Sequence, residues 1–281
     1  MILVTGATGT AGGAVARVLA EQGRPTRLLV RDPRRVTAPG PHAEVVTGTY
    51  ADPATLDAAL EGVRAVFVVT NNPWEPDDAR LVEAAGARGV RHLVKLSAAA
   101  VEDELSEDLI TCWQRRAEET IRTSGMDWTI LRPRSFMTNT LAWASSIKAE
   151  GVVRGIGGDC PSACVDPRDV AEVAALALTG PGHAGRVHTL SGPEAVSAEE
   201  QVAQLGRALG RTLRYEELEP DQAHAQWLSR YPREIADALL TRVERLRDGA
   251  KQRVENTVPD ELGRPARAYR DWVREHAARF D

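Results

Sequence analysis

The chain has 281 residues, of which 43% are hydrophobic and 27% charged, with a net charge of −5. That length buries a full core, as one large domain or as a core with a smaller lobe. The negative balance argues against a nucleic-acid surface, and no apolar run is long enough to cross a membrane. The cysteines Cys112, Cys160 and Cys164 are an odd, sparse set that fits a reducing compartment. Cys160 and Cys164 have no nearby histidine and make a poor metal site. The first residues enter a strand with no basic leader, so the expectation is a cytoplasmic protein without a metal. Lysine occurs only at Lys95, Lys148 and Lys251.

Ile2–Val4 is an apolar run suited to a buried parallel strand. Gly6, Gly9 and Gly12 follow at three-residue spacing, and residues 14–22 carry apolar side chains at helical spacing. Strand, glycine turn and helix in this order form the context of a dinucleotide site. The glycines allow a tight turn and close ligand approach, and the helix start attracts a pyrophosphate. Further strands are predicted at 27–30, 43–46, 65–70, 93–97 and 128–132. Helices are predicted through residue 60 from Asp52-Pro53, over 77–88, and over 105–123. This alternation predicts an α/β protein with a doubly wound parallel sheet. Ligands then bind in the loops at the carboxyl ends of the strands.

Beyond Asn139 the elements shorten and glycine punctuates them. Helices are expected at 168–178, at 197–209 behind the capping-box pattern of Ser197 and Glu200, in the charged stretch from Asp221, and at 266–278. A strand is expected at 187–190. The expected division is a nucleotide-binding domain over 1–150 and a smaller α/β lobe over 151–281, with a segment near 165–190 returning to the first.

At the end of the second strand, where NAD-binding sheets place an acid for the ribose, stands Arg31, with Arg34 and Arg35 close behind. Guanidinium groups suit a 2′-phosphate, so NADP(H) is expected over NAD(H). Asp32 is the competing ribose acid.

The run Thr5-Gly6-Ala7-Thr8-Gly9-Thr10-Ala11-Gly12 resembles the TGATGxxG fingerprint of the atypical short-chain dehydrogenases, the NmrA-like group above all. The stretches Ser124–Pro133, Phe136–Asn139, Val165–Ala171 and Gly263–Pro265 resemble that group in the same order. The resemblance covers most of the chain. It implies a Rossmann-like domain with a small C-terminal lobe. It also implies NADP(H) held by Gly6, Thr8, Gly9, Thr10, Ala11 and Gly12, with Arg31 at the 2′-phosphate, where Arg35 is a further candidate from the arginine cluster itself. Thr49 and Tyr50 match the adenine loop, Thr70 and Asn71 the segment beside ribose and phosphates, and Ser97, Pro133 and Phe136 the nicotinamide surroundings.

Typical members use a Tyr-x-x-x-Lys pair in which the tyrosine gives a proton to a reduced carbonyl. No tyrosine lies between Tyr50 and Tyr215, and the pair's positions match Gln114 and Glu118. Glutamine is no proton donor at neutral pH. Ser97, Gln114 and Glu118 are the candidate catalytic residues, each with a plainer reading as a turn, helix or ion-pair residue. Trp74, Trp113, Met137 and Trp143 are candidates for a substrate pocket or for core, and Lys95 for a strand-end lysine or a ribose contact.

Two functions follow. One is an NADP(H)-dependent oxidoreductase that passes hydride to a small aromatic, quinone-like or conjugated carbonyl substrate without a Tyr–Lys pair. The alternative is a non-catalytic NADP(H) redox sensor that regulates a protein partner, with residues 221–253 as a candidate surface. A homodimer is compatible with either.

Overall fold

The computed structural model describes residues 1–37, 39–249 and 251–281. The chain forms two compact units. The first comprises Met1–Val101, Trp113–Pro133 and Pro167–Thr189, and the second Glu102–Cys112, Arg134–Asp166 and Leu190–Asp281. The chain therefore first leaves the sheet-bearing unit after Val101 and leaves it again after Pro133, whereas the expected boundary lay near residue 150. The second unit is nearly as long as the first rather than markedly smaller.

In the first unit the strands are β1 (Ile2–Thr5), β2 (Thr26–Val30), β3 (Ala43–Thr47), β4 (Ala65–Val68), β5 (His92–Leu96), β6 (Asp127–Pro133) and β8 (Arg186–Leu190). They form one sheet in the order β3-β2-β1-β4-β5-β6-β8. The first six run parallel, with Ile2 opposite both Thr26 and Ala65. Helix α1 (Thr10–Glu21) packs against α6 (Pro167–Thr179) on one face. On the other face Leu3, Leu29, Val66, Val68 and Leu93 form a core. Leu56 and Leu60 of α2 (Pro53–Leu60), Leu81 and Ala85 of α3 (Asp77–Ala87) and Ile121 of α4 (Leu109–Arg122) join them. Covered on both sides, β1 and β4 are fully buried, which is why both read as unbroken apolar runs.

Sequence order reverses between β1 and β4, and Thr5 ties the two strand ends together. Its hydroxyl donates to the Phe67 carbonyl (3.0 Å) and accepts from the Val69 amide (2.8 Å). The crevice for a ligand opens there.

Helix α4 begins four residues later than predicted. Asp108 accepts from the Ile110 and Thr111 amides, both at 3.0 Å, and so caps the helix at that point. The second unit contains two strands the sequence did not reveal, β7 (Val152–Gly155) and β9 (Arg214–Glu217), paired in parallel. They are four residues long and largely polar outside, so they leave no alternation to read. This unit's core gathers Ile147, Val153 and Leu205 around Tyr269 and Trp272 of α11 (Tyr269–His276). Trp272 stacks on His276 at 4.4 Å between ring centres.

Lys95 of β5 has no solvent exposure. Its ammonium donates to Thr70 Oγ1 (2.7 Å) and pairs with Asp78 of α3 (2.8 Å), while Thr70 donates to the same carboxylate (2.9 Å). Every polar atom of the triad meets another, which is what makes the burial of both charges tolerable. Lys95→Met should cost about 3–5 kcal/mol by chemical denaturation, because it strands Asp78. Lys95→Met/Asp78→Leu should recover most of that loss.

Candidate functional site

The site begins with the turn after β1. Gly6 has φ +63°, and a β-carbon there would meet Val69 at 2.9 Å. At Gly12 a β-carbon would lie 2.3 Å from the Gly6 carbonyl oxygen. Only glycine lets the first turn of α1 fold this close to the end of β1. The N-cap, Gly9, offers no side chain to the helix start, so the leading amides of α1 are not satisfied by a cap. That is the donor set a pyrophosphate takes.

A cleft of about 500 Å³ opens beside this turn. Gly6, Thr8 and Gly9 form one wall, Arg31 and Arg35 another, and Thr49, Tyr50 and Asn71 a third. Thr10, Ala11 and Gly12 lie in the first turn of α1 behind that wall; Ala11 is buried and Thr10 exposed. Tyr50 is fixed by donating to the Val69 carbonyl at 2.6 Å, and burial pushes its phenol well above the usual range.

The arginines divide by partner. Arg34 forms a bidentate pair with Asp32 (2.9 and 3.1 Å), and Asp32 also caps the short turn Pro33–Arg35. Asp32 is thereby drawn away from the role of ribose acid. Arg31 and Arg35 face the cleft and have no carboxylate within ion-pair distance among the described residues. Two unneutralised guanidiniums at the carboxyl end of β2 fit a 2′-phosphate.

The cleft also has walls the sequence analysis did not name: Asn72, Glu75, Asp77 and Arg80, with Arg80 bonded to Glu75 at 2.7 Å. They lie just after β4, across the reversal point from the glycine turn. The signal that finds them is strand order, which a single sequence does not carry.

The Thr70 hydroxyl, another expected cofactor contact, is bonded to Lys95 and Asp78. Lys95 likewise sits inside that triad, 5.9 Å from the ring centre of Trp113. Pro133 ends β6 and is buried, whereas Phe136 belongs to the second unit and bridges to Val165.

The catalytic candidates separate sharply. Glu118 takes a bidentate pair from Arg132 (2.8 and 2.6 Å) and the Ser97 hydroxyl (2.6 Å). Burial raises the Glu118 pKa, but the Arg132 and Ser97 hydrogen bonds and the Arg132 and Arg122 charges outweigh it. Together they hold the carboxyl below its usual value. Glu118 is therefore held as a carboxylate by its partners, and Ser97 is one of its donors. Gln114 differs. It is only 9% exposed, and its side-chain carbonyl Oε1 is buried without a hydrogen-bond partner. Such an orphan costs roughly 1–3 kcal/mol, a cost relieved when a donor arrives.

Of the aromatic-pocket candidates, Met137 is a core residue of the second unit, 1% exposed among Ile147, Val153 and Leu205. Trp143 packs on that same core. Trp74 is 54% exposed on the loop after β4. Met137 and Trp143 thus pack in a core, a role that no spacing rule displays.

The comparisons with known proteins fit this geometry. A family model described as NAD(P)H-binding matches residues 6–181. The chain belongs to that family. Its motifs place it among the atypical short-chain dehydrogenases. It is 57% identical over 280 residues to a (4-alkanoyl-5-oxo-2,5-dihydrofuran-3-yl)methyl phosphate reductase of Streptomyces griseus, covering 100% of this chain and 99% of the relative. It is 37% identical to an NAD(P)H azoreductase of Xenophilus azovorans, covering 100% and 99%. Among solved structures, the NADPH complex of the Escherichia coli quinone oxidoreductase QOR2 superposes with a TM-score of 0.83 at 26% identity, over 98% of this chain and 99% of that one. With Arg31 and Arg35 where NAD-binding sheets carry an acid, the cofactor is NADP(H), and the protein is an NADP(H)-dependent oxidoreductase. No helix among the described residues is long and apolar enough to cross a membrane.

Arg31→Ala and Arg35→Ala should each weaken NADPH binding about 10- to 100-fold, the range of a charge-assisted hydrogen bond, and leave NADH binding unchanged. Fluorescence titration reads both. A second outcome concerns pH. Because folding lowers the Glu118 pKa, its stabilisation is complete above the carboxylate's ordinary value of 4.5 and drains away as pH falls through the lower folded value. Glu118→Gln should lower Tm at neutral pH and flatten the acid limb of the Tm–pH curve.

Proposed function

We propose that this protein reduces a carbon–carbon double bond conjugated to two carbonyl groups, on a five-membered unsaturated lactone that carries a phosphomethyl arm. The observation that carries this reading is the 57% identity, end to end, with a reductase named for a substrate of that class.

The chain's own residues agree with that chemistry. In such a lactone the double-bond carbon bearing the phosphomethyl arm is the electrophile. Its neighbour is flanked by the ring carbonyl and the side-chain ketone. When bound, NADPH supplies a hydride to the electrophilic carbon. The electron pair of the double bond moves onto the neighbouring carbon and is shared by two carbonyl oxygens. An anion spread over two oxygens takes its proton from water and needs no side-chain acid. A simple ketone would instead develop a localised alkoxide, for which a tyrosine is the usual donor.

The site matches the first case. Gln114 stands at the tyrosine's place and brings no acid, Glu118 is locked as a carboxylate, and Ser97 is bonded to it. What remains for the protein is binding and orientation. The orphaned Gln114 Oε1 is an acceptor that a cofactor hydroxyl or amide would satisfy, and so a positioning group for the face that reacts.

The test is turnover of NADPH with an acyl-butenolide phosphate and with a saturated aliphatic ketone. Rapid oxidation with the butenolide and none with the ketone is expected. With deuteride at the transferable position of NADPH, the label should appear on the ring carbon bearing the phosphomethyl arm. kcat should stay flat between about pH 6 and 9, since no side-chain acid takes part. Equal turnover of the ketone, or label on a carbonyl carbon, would overturn the proposal.

A further inference from the structure

One wall of the cleft beside the glycine turn is made by a single stretch of chain, the link from β4 into α3. Val69, Asn71, Asn72, Glu75, Asp77 and Arg80 line the cleft from this stretch. Thr70 and Asp78 alternate with them in sequence and are buried. Both bond the Lys95 ammonium of β5, Thr70 at 2.7 Å and Asp78 at 2.8 Å, and the Thr70 hydroxyl donates to Asp78 at 2.9 Å. A single cation without solvent exposure thus ties together the two ends of the segment whose middle forms the wall.

The chain is already fixed as it reaches Val69. Thr5 accepts from the Val69 amide at 2.8 Å, and the Tyr50 phenol donates to the Val69 carbonyl at 2.6 Å. Beyond Val69 the support thins. The Asn72 side chain accepts from the Trp74 amide at 3.2 Å and the Asn72 carbonyl from the Glu75 amide at 3.4 Å, both long. Pro73 and Pro76 have no amide to give. Arg80 donates to Glu75 at 2.7 Å and to Asp77 at 3.3 Å, which links residues of the same stretch to one another. Among the described residues, the buried side-chain bonds of this segment are those of the triad.

A compact ammonium with three donors can serve a hydroxyl and a carboxylate at once. Apolar side chains of similar volume could fill the same space without desolvating two charges. What they could not supply is direction: the bonds to Lys95 fix where Thr70 and Asp78 stand, and with them the adjoining Asn71 and Asp77 of the cleft wall.

We propose that Lys95 is a positioning residue for NADP(H) binding. It does not touch the cofactor. It acts through Thr70 and Asp78, which set the wall from Asn71 to Asp77 before the cofactor arrives. A wall ordered in advance spares the cofactor the entropy of ordering it. The substrate plays no part in this role, so its test stands apart from that of the butenolide reaction.

Three variants of the full chain separate the possibilities. Thr70→Val keeps the branched shape and removes the hydroxyl, while the Lys95–Asp78 ion pair stays. Thr70→Ser keeps the hydroxyl. Lys95→Met/Asp78→Leu replaces the ion pair with apolar side chains. Leu60→Ala, in the α2 core and away from the cleft, controls for lost stability. NADPH affinity is read by fluorescence titration. Hydrogen exchange over residues 69–80 is read by mass spectrometry in the cofactor-free protein, and thermal melting reports folding.

Thr70→Val and Lys95→Met/Asp78→Leu should each weaken NADPH binding about three- to tenfold, the range of a lost hydrogen bond. Each should speed exchange over residues 69–80 about tenfold and leave β1 unchanged. Thr70→Ser should match the wild type in both. Leu60→Ala should lower Tm without moving either. Wild-type NADPH affinity in Thr70→Val and in the double variant would leave the triad a matter of stability alone and overturn the proposal. Weaker binding with unchanged exchange in the cofactor-free protein would mean that these side chains touch the cofactor directly, and overturns it equally. Should the double variant not fold, Thr70→Val decides by itself.

Discussion

The Gly6 carbonyl and the α-carbon of Gly12 stand so close that no β-carbon fits between them. That contact draws the start of α1 against the end of β1. It brings the leading amides of the helix to the crevice where strand order reverses, and it is the reason a pyrophosphate can be met by backbone alone. The left-handed turn at Gly6 and the Thr5 clamp on the end of β4 serve the same geometry. Arg31 and Arg35 then matter because β2 is hydrogen-bonded beside β1 and ends next to this turn.

Charge satisfaction divides the rest of the chemistry. In the first unit Lys95, Asp78 and Thr70 satisfy one another, and so do Glu118, Arg132 and Ser97. Buried ionic groups of this kind hold geometry and are poor proton carriers, since moving a proton would break several bonds at once. What is left over is informative by contrast. Two arginines face the cleft beside the glycine turn, and one glutamine carbonyl is buried without a donor. The proposed reaction needs no side-chain acid, in agreement with a Glu118 carboxylate already bonded to Arg132 and Ser97.

Much of this was legible in the chain. The alternation of buried apolar runs and amphipathic helices specified the doubly wound sheet, because strands covered on both faces are predominantly apolar. The glycine spacing specified the turn, and Arg31 the cofactor. The empty tyrosine position at Gln114 was equally plain. Less legible were the paired strands Val152–Gly155 and Arg214–Glu217, too short and too polar to show a period, and the late start of α4, where Asp108 rather than an upstream residue supplied the cap. Met137 and Trp143 stayed open between pocket and core in the sequence because apolarity alone does not separate a substrate wall from a core; both pack on the second unit's core.

The sequence by itself determined the fold class and the glycine turn, pointed to NADP(H), and showed that no tyrosine lies between Tyr50 and Tyr215. These rest on local rules: the conformational freedom of glycine, hydrophobic period and the chemistry of single side chains. Only the tertiary structure decided which polar groups are spent. Asp32 turned to Arg34, Thr70 to Lys95, and Glu118 to Arg132, while Arg31 and Arg35 have no carboxylate within ion-pair distance among the described residues. Partnership between charges depends on which residues distant in sequence come within a few ångströms of one another. That is fixed by packing, not by anything written at either position.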